Sequence, residues 1–205
     1  MTQPAHFAFL HGGGQGSWVW DETIAAMKAQ SGDTHRYLAL DVPGCGLKRG
    51  RDTVDIGFDA IIAELVADVR TAGMSNVVLV GHSQAGTVLP RMADAAPGLI
   101  RRLVHVSTIA PDPGADVIEM SARRMTADRS EAINRSFFDE DMPAAERFGL
   151  KFCNDMAPDQ AAAFLARLGQ DNWPRSSYEF SDWTYGATGG PEVSYVLCLR
   201  DAVLT

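Results

Sequence analysis

The chain contains Gly81-His82-Ser83-Gln84-Ala85-Gly86 directly after the apolar run Asn-Val-Val-Leu-Val at 76–80. A short buried strand therefore leads into a turn of small residues with Ser83 at its apex, and residues 87–96 predict a helix. This is the layout of a nucleophile elbow, in which a sharp strand-to-helix turn holds a serine hydroxyl above a sheet. A bulky side chain at Gly81 or Ala85 would collide with such a tight turn. The alternative, a glycine-rich connection that only happens to contain a serine, has to be judged against the rest of the chain.

A second glycine-rich loop follows the first predicted strand. Residues 7–10, Phe-Ala-Phe-Leu, run into His-Gly-Gly-Gly-Gln-Gly at 11–16. In serine hydrolases with an elbow, one oxyanion donor comes from such a loop and the other is the N–H after the nucleophile. Those donors would be Gly13 and Gln84. A phosphate-binding loop is the poorer interpretation, because no Gly-Lys-Ser/Thr follows and the spacing does not fit Gly-x-Gly-x-x-Gly opening a helix.

With both loops in order along the chain, the sequence resembles an α/β-hydrolase. More narrowly, it resembles the small esterase group that includes plant methyl-salicylate-type esterases and hydroxynitrile lyases. The lyases of that group carry threonine after the loop histidine, and this chain has Gly12, so the resemblance favours ester hydrolysis over cyanohydrin cleavage. It implies no metal and no organic cofactor. The segments that carry the resemblance are 11–20, 38–44, 81–86, 152–155 and 195–201.

Composition excludes several other classes of protein. A chain of 205 residues is long enough for one domain that buries roughly 70% of its unfolded surface. The net charge of -8 argues against nucleic acid or an anionic membrane as a partner, since both attract basic surfaces. No apolar run reaches the ~18 residues that would span a bilayer. Three widely spaced cysteines fit no zinc pattern and predict reduced thiols in a cytoplasmic protein, with Cys198 inside an apolar strand.

Strand and helix patterns alternate along the chain, which predicts an α/β fold: a mostly parallel sheet with helices on both faces. The pattern changes between 112 and 188, where helical stretches rich in Met, Phe and Ala replace strands. We interpret 1–111 as the first part of a hydrolase core, 112–188 as a helical cap, and 189–205 as the final core strand with an acid residue. Candidate pocket residues in the cap, each also explicable as ordinary core, are Met120, Met125, Phe137, Phe138 and Met142.

A serine hydroxyl needs a base to take its proton, and the base must be oriented by a third group. In α/β-hydrolases these follow in the order serine, acid, histidine. Asp201 fits the acid, because it comes at the carboxyl end of the apolar strand predicted at 193–199. None of the five histidines suits the base; His82, beside the serine, is expected to point away from its hydroxyl. The others are His6, His11, His35 and His105.

The last strand pattern raises a further expectation. Its nearly continuous apolar run predicts a strand covered on both faces, yet the printed sequence stops four residues after Asp201. We therefore expect a C-terminal strand-loop-helix unit of about 30 or more residues to be missing, with the histidine in it. Three functions remain open: a hydrolase of small hydrophobic esters, a catalytically inactive binding module that lacks the histidine, and a lyase. An uncovered last strand would also make a homodimer through that edge plausible.

Overall fold

Five parallel strands form one sheet in the computed structural model, which describes residues 4–110, 114–124, 136, 139, 141–182, 190–201 and 203. Their order across the sheet is β2-β1-β3-β4-β5. Leu10 of β1 lies in register with Leu40 of β2 and Gly81 of β3, so the loops that follow these three strands leave the sheet at one edge. The strands are β1 (His6–Leu10), β2 (Arg36–Leu40), β3 (Val77–His82), β4 (Ile100–Val106) and β5 (Glu192–Val196).

Helices cover both faces of this sheet, as predicted. Side chains alternate between the faces of a strand, so Leu79 lies under one layer while Val78 and Val80 lie under the other. On the first face α2 buries six apolar side chains at helical spacing, each stabilising the fold by about 1.5–3 kcal/mol. On the second face, α1 packs against a smaller cluster. The first three helices are α1 (Asp21–Ser31), α2 (Phe58–Thr71) and α3 (Leu89–Ala95).

The described residues between 114 and 182 contain helices and connections but no strand. The helices are α4 (Val117–Arg124), α5 (Ala144–Phe152), α6 (Pro158–Leu165) and α7 (Ser176–Glu179). Met120 and Met142 are buried, whereas the other three candidate pocket residues, Met125, Phe137 and Phe138, lie outside the described residues. The limits of the cap at 112 and 188 stay a prediction. None of the described helices has the length and apolarity needed to cross a membrane.

The last strand differs from its prediction in extent. β5 ends at Val196 rather than Leu199, and among the described strands it pairs with β4 alone, at the edge of the sheet. Val193 is 64% exposed and Tyr195 54%, so the described residues leave this strand uncovered, and the unit expected to cover it stays a prediction. The apolar run predicted the strand correctly, but burial depends on which elements pack against it, and a strand's own sequence does not contain that information.

Candidate active site

Ser83 sits on a sharp turn between β3 and α3. Its φ of +52° is rare for a residue with a side chain, and a tight 3-10 turn over Ser83–Thr87 precedes α3. A Cβ on Gly81 would lie 2.5 Å from Leu89 Cδ1 and 2.8 Å from Ala85 Cβ. These distances confirm the prediction that the turn has room only for small residues at Gly81 and Ala85.

Gly86 must also lack a side chain, because the loop after β4 that contains Ile109 packs against it. A Cβ on Gly86 would overlap the carbonyl oxygen of Ile109. That loop is in turn fastened to the elbow, because the Ile109 amide donates a 3.0 Å hydrogen bond to the Ser83 carbonyl. The predicted helix at 87–96 consequently starts later, at Leu89, after the tight turn.

The first glycine loop lies directly against the elbow. A Cβ on Gly12 would be 2.9 Å from Ser83 Cβ, and a Cβ on Gly13 would be 2.5 Å from the side-chain oxygen of Gln84. The Gly12 amide is occupied by the Gln15 side chain at 3.1 Å. By contrast, the amides of Gly13 and Gln84 have no acceptor among the residues that the structure describes. The two amides predicted as oxyanion donors thus lie in neighbouring loops beside Ser83.

His11 is completely buried at the start of this loop. Its Nδ1 lies 2.8 Å from the Gly12 carbonyl oxygen, and its Nε2 is 3.3 Å from the Val42 amide nitrogen. A neutral ring with its proton on Nδ1 satisfies both contacts, an assignment made from the hydrogen bonds. Burial lowers the pKa of His11, and the Gly12 carbonyl and nearby carboxylates offset this only in part. His11 therefore acts as a structural hydrogen-bonding residue, which agrees with the prediction that it is not the catalytic base.

A cavity of about 390 Å³ opens beside the elbow. Ser83 and Asp201 both line it, although they come from different ends of the chain. Its apolar wall is formed by Val19, Trp20, Val106, Phe152, Met156 and Phe164. The cavity therefore brings the predicted nucleophile and the predicted acid to one largely apolar site.

Of the five histidines, all within the described residues, His82 is the one that lines this cavity. Its Nδ1 would be 3.2 Å from a Cβ on Gly12, on the same side as Ser83. The sequence predicts a side chain turned away from the Ser83 hydroxyl; because lining the cavity does not give the direction of the ring, this stays a prediction. Burial lowers the pKa of His82, while the Asp201 carboxylate acts in the opposite direction. The rings of His6, His35 and His105 are bonded elsewhere, to Ser75, Ala5 and Thr108.

The three thiols differ in exposure. Cys45 is buried, and burial raises the pKa of its thiol to about 12. Cys198 is exposed and lines the cavity, so the prediction that it lies inside a strand is wrong because β5 ends two residues earlier. Among the described residues, no group of three or more His, Cys, Asp or Glu side chains could hold a metal ion.

Two buried carboxylates support the site, and sequence reasoning missed both. Asp41 accepts hydrogen bonds from the Ser17 amide at 2.6 Å and from the Leu47 amide at 2.9 Å. Asp171 is completely buried and accepts bonds from Arg49, the Trp18 indole and the Gly46 amide. The position of Asp41 directly after β2 is a local signal that it could lie near the site. No local signal points to Asp171, because its partners are more than a hundred residues away in the chain.

Curated relatives share parts of this chain. It is 24% identical over 169 residues to a carbendazim-hydrolysing esterase of Nocardioides sp., covering 82% of this chain and 66% of that protein. It is 32% identical over 126 residues to methylesterase 8 of Arabidopsis thaliana, covering 59% of this chain and 45% of that protein. The chain thus spans about half to two thirds of the length of these relatives.

Solved structures share the fold across nearly the whole chain. Polyneuridine aldehyde esterase matches with a TM-score of 0.73 at 19% identity, covering 98% of this chain and 83% of that one. An extracellular alpha/beta-hydrolase from a Paenibacillus species matches with a TM-score of 0.62 at 20% identity, covering 95% and 77%. At such identities the likeness concerns the fold alone. The model of the alpha/beta hydrolase family, however, matches residues 7–205, and the chain belongs to that family.

Proposed function

We propose that the protein is a carboxylic-ester hydrolase that acts on small hydrophobic esters through an acyl-enzyme on Ser83. The observation that carries this proposal is the position of Ser83, on a strained turn at the wall of a cavity, beside two backbone amides that have no acceptor among the described residues. The relatives named as esterases and methylesterases support the reaction class. The thiols and the acidic charge support a cytoplasmic location without a nucleic-acid partner.

The mechanism follows from where charge develops. Ser83 Oγ attacks the ester carbonyl carbon while a base takes its proton, and the carbonyl oxygen becomes an oxyanion. The amides of Gly13 and Gln84 would donate to that oxyanion; losing one such donor typically costs about 100- to 1,000-fold in rate. The base returns the proton to the departing alcohol, and water then hydrolyses the acyl-enzyme to release the acid.

Asp201 is proposed to orient the base. In the resembling family that base is a histidine that follows the acid in the chain, and we keep this as the prediction for the full-length protein. Among the histidines of the printed sequence, His82 is the one that shares a cavity with Ser83 and Asp201. Its position between the glycine loop and the serine supports a role in shaping the site.

The substrate class follows from the cavity and from Gly12. An apolar wall that includes Trp20, Phe152 and Phe164 would favour a hydrophobic acyl or alcohol group. The lyases of the family place threonine at the position of Gly12. A Cβ there would lie 2.9 Å from Ser83 Cβ and 3.2 Å from His82 Nδ1, so a side chain would force the loop to shift. This crowding supports hydrolysis over cyanohydrin cleavage.

The test is covalent labelling of the full-length protein with a fluorophosphonate, together with turnover of p-nitrophenyl acetate and butyrate. We expect labelling and turnover in the wild type and neither in Ser83→Ala. The matched control is Ser31→Ala, which removes a hydroxyl bonded to Met27 and Tyr37, far from the cavity. Unchanged turnover in Ser83→Ala would reject the mechanism. A wild type that binds a product acid in a thermal-shift assay but neither labels nor turns over would instead be the binding module.

A further inference from the structure

One segment of the chain, residues 171–178, crosses the edge of the sheet at which the site lies; we call it the strap. Its sequence is Asp-Asn-Trp-Pro-Arg-Ser-Ser-Tyr. Asp171 binds the loop after β2 through the Gly46 amide, and Ser176 donates a 2.7 Å hydrogen bond to the Ile56 carbonyl before α2. Trp173 binds the first glycine loop, Ser177 accepts a hydrogen bond from Gln84 of the elbow, and the Tyr178 hydroxyl lies next to Gly13.

We propose that Trp173, Ser177 and Tyr178 of the strap are positioning residues for the oxyanion hole, because they fix the two amides of Gly13 and Gln84. This inference rests on the proposed function, since it concerns donors that matter only if an oxyanion forms. It assigns a positioning role in the reaction to three residues of the strap.

The first amide is fixed through the opposite end of its own peptide group. The Trp173 indole donates a 3.1 Å hydrogen bond to the Gly12 carbonyl oxygen, and His11 Nδ1 lies 2.8 Å from the same oxygen. Because a trans peptide is planar, its C=O and the following N–H point in opposite directions. Two buried donors that hold the Gly12 carbonyl therefore also set the direction of the Gly13 N–H. Trp173 is 3% exposed, so water does not compete for this bond.

The second amide is fixed through its own side chain. Gln84 Nε2 donates to Ser177 Oγ at 3.2 Å, and the Tyr178 hydroxyl lies beside the same side chain, next to Gly13. Ser177 Oγ in turn donates to the Pro174 carbonyl at 2.7 Å, which closes the network within the strap. Gln84 directly follows the strained Ser83, so fastening its side chain restricts rotation of the backbone that carries the donor.

Tyr178 lies beside both donors. Its hydroxyl oxygen would be 3.6 Å from a Cβ on Gly13, the same position that Gln84 Oε1 approaches at 2.5 Å. An oxyanion hole works only when its donors lie about 2.7–3.1 Å from the developing charge. A misplacement of about 1 Å can cost on the order of 100-fold in rate. A shared anchor for both amides is therefore a way to keep their separation constant.

The test compares Trp173→Phe and Tyr178→Phe with wild type in the full-length protein. The matched control is Tyr37→Phe, which loses a 2.9 Å hydroxyl contact with Ser31 at the remote edge of the sheet. For each variant we would measure kcat, KM, the thermal midpoint, and inhibition by an aryl trifluoromethyl ketone, whose serine adduct places an oxyanion in the hole. We expect kcat to fall by roughly 10- to 100-fold in both strap variants. The ketone should bind more weakly by the same factor, with KM within about twofold of wild type.

A merely structural strap would give a different pattern. Its variants would lower the thermal midpoint, yet folded protein would keep wild-type kcat and ketone affinity, and that result would overturn the inference. Tyr178→Phe keeps the ring and removes one oxygen, so it remains informative if Trp173→Phe fails to fold. Failure of the proposed function is separately visible, because wild-type protein would then show no labelling at Ser83.

Discussion

The two predicted catalytic side chains border one cavity but are held in opposite ways. Ser83 follows β3, a central strand with β1 and β4 on either side, and the residues of its turn from Gln84 to Thr87 are buried. Asp201 follows β5, the edge strand, whose apolar side chains are largely exposed. We call these the serine side and the acid side of the site.

The difference has an energetic meaning. On the serine side, small residues, buried carboxylates and the strap meet in close contact, so a change there disturbs packing that stabilises the whole fold. On the acid side, two hydrogen bonds of Asp201 are local: its amide donates to the Cys198 carbonyl and its carboxylate accepts from the Val203 amide. Changes on the serine side should therefore lower stability, whereas changes on the acid side should lower turnover alone.

Apart from the loss of Ser83 itself, the largest expected effect comes from the acid side. Asp201→Asn removes the charge that would orient the base and stabilise its protonated form, so we expect kcat to fall by about 10,000-fold, as for the equivalent change in a serine protease. Because Asp201 is only partly buried, the thermal midpoint of the variant should stay close to that of wild type. Steady-state kinetics and differential scanning calorimetry on the same preparation check both parts. A large fall in midpoint would erase the contrast between the two sides.

Asp171→Asn tests the serine side, where we expect the main cost in stability. Asp171 is fully buried, whereas its partner Arg49 is 41% exposed and can turn to water, so the pair is not a fully buried one. The cost should come from the donors that an amide satisfies less well, the Trp18 indole and the Gly46 amide, and we expect about 1–3 kcal/mol. Urea unfolding measures it. The control is Asp59→Asn, which loses an ion pair with Arg91 from an 85% exposed side chain and should cost below about 1 kcal/mol.

The same contrast separates what the sequence could predict from what it could not. The elbow, the glycine loop and α2 were predictable, because steric limits at Gly81 and the helical spacing of six apolar residues act over a few residues. The strap was not, because Trp173 and Gly12 meet only after the chain has folded, and neither carries a local pattern that points to the other. The strand β5 could likewise be predicted from its apolar run, whereas its end at Val196 could not.

Acid should destabilise the protein in two stages. Burial lowers the pKa values of His11 and His82 below that of an unfolded histidine, about 6.5, so the unfolded state binds protons first and stability falls as pH drops below that value. For Asp171 burial acts to raise the pKa, but hydrogen bonds from Arg49, Trp18 and the Gly46 amide lower it overall. Its contribution is therefore present above the unfolded pKa of about 3.9 and is lost as pH falls through the lower folded value.

Unfolding free energies measured between pH 8 and pH 3 would show both stages. Asp171→Asn should flatten the stage below about pH 4 and leave the decline that begins near pH 6.5. If the variant and the wild type lost stability in parallel below pH 4, another carboxylate would be responsible for the second stage.

The smallest expected effect is a change in the pKa of His82, which tests whether the acid side influences the serine side through its charge. The Asp201 carboxylate raises the pKa of His82 against the larger lowering by burial, so Asp201→Asn should move the pKa of His82 further down. Titration of the ring protons by NMR, with His82→Gln to assign the resonance, measures the shift. The pKa of His105, which burial lowers without a contribution from Asp201, provides the internal reference. A downward shift confined to His82 would mean that the acid side acts on the elbow electrostatically while contributing little to its packing. Equal shifts at both histidines would mean that the substitution had altered the fold, and the separation of the two sides would then be wrong.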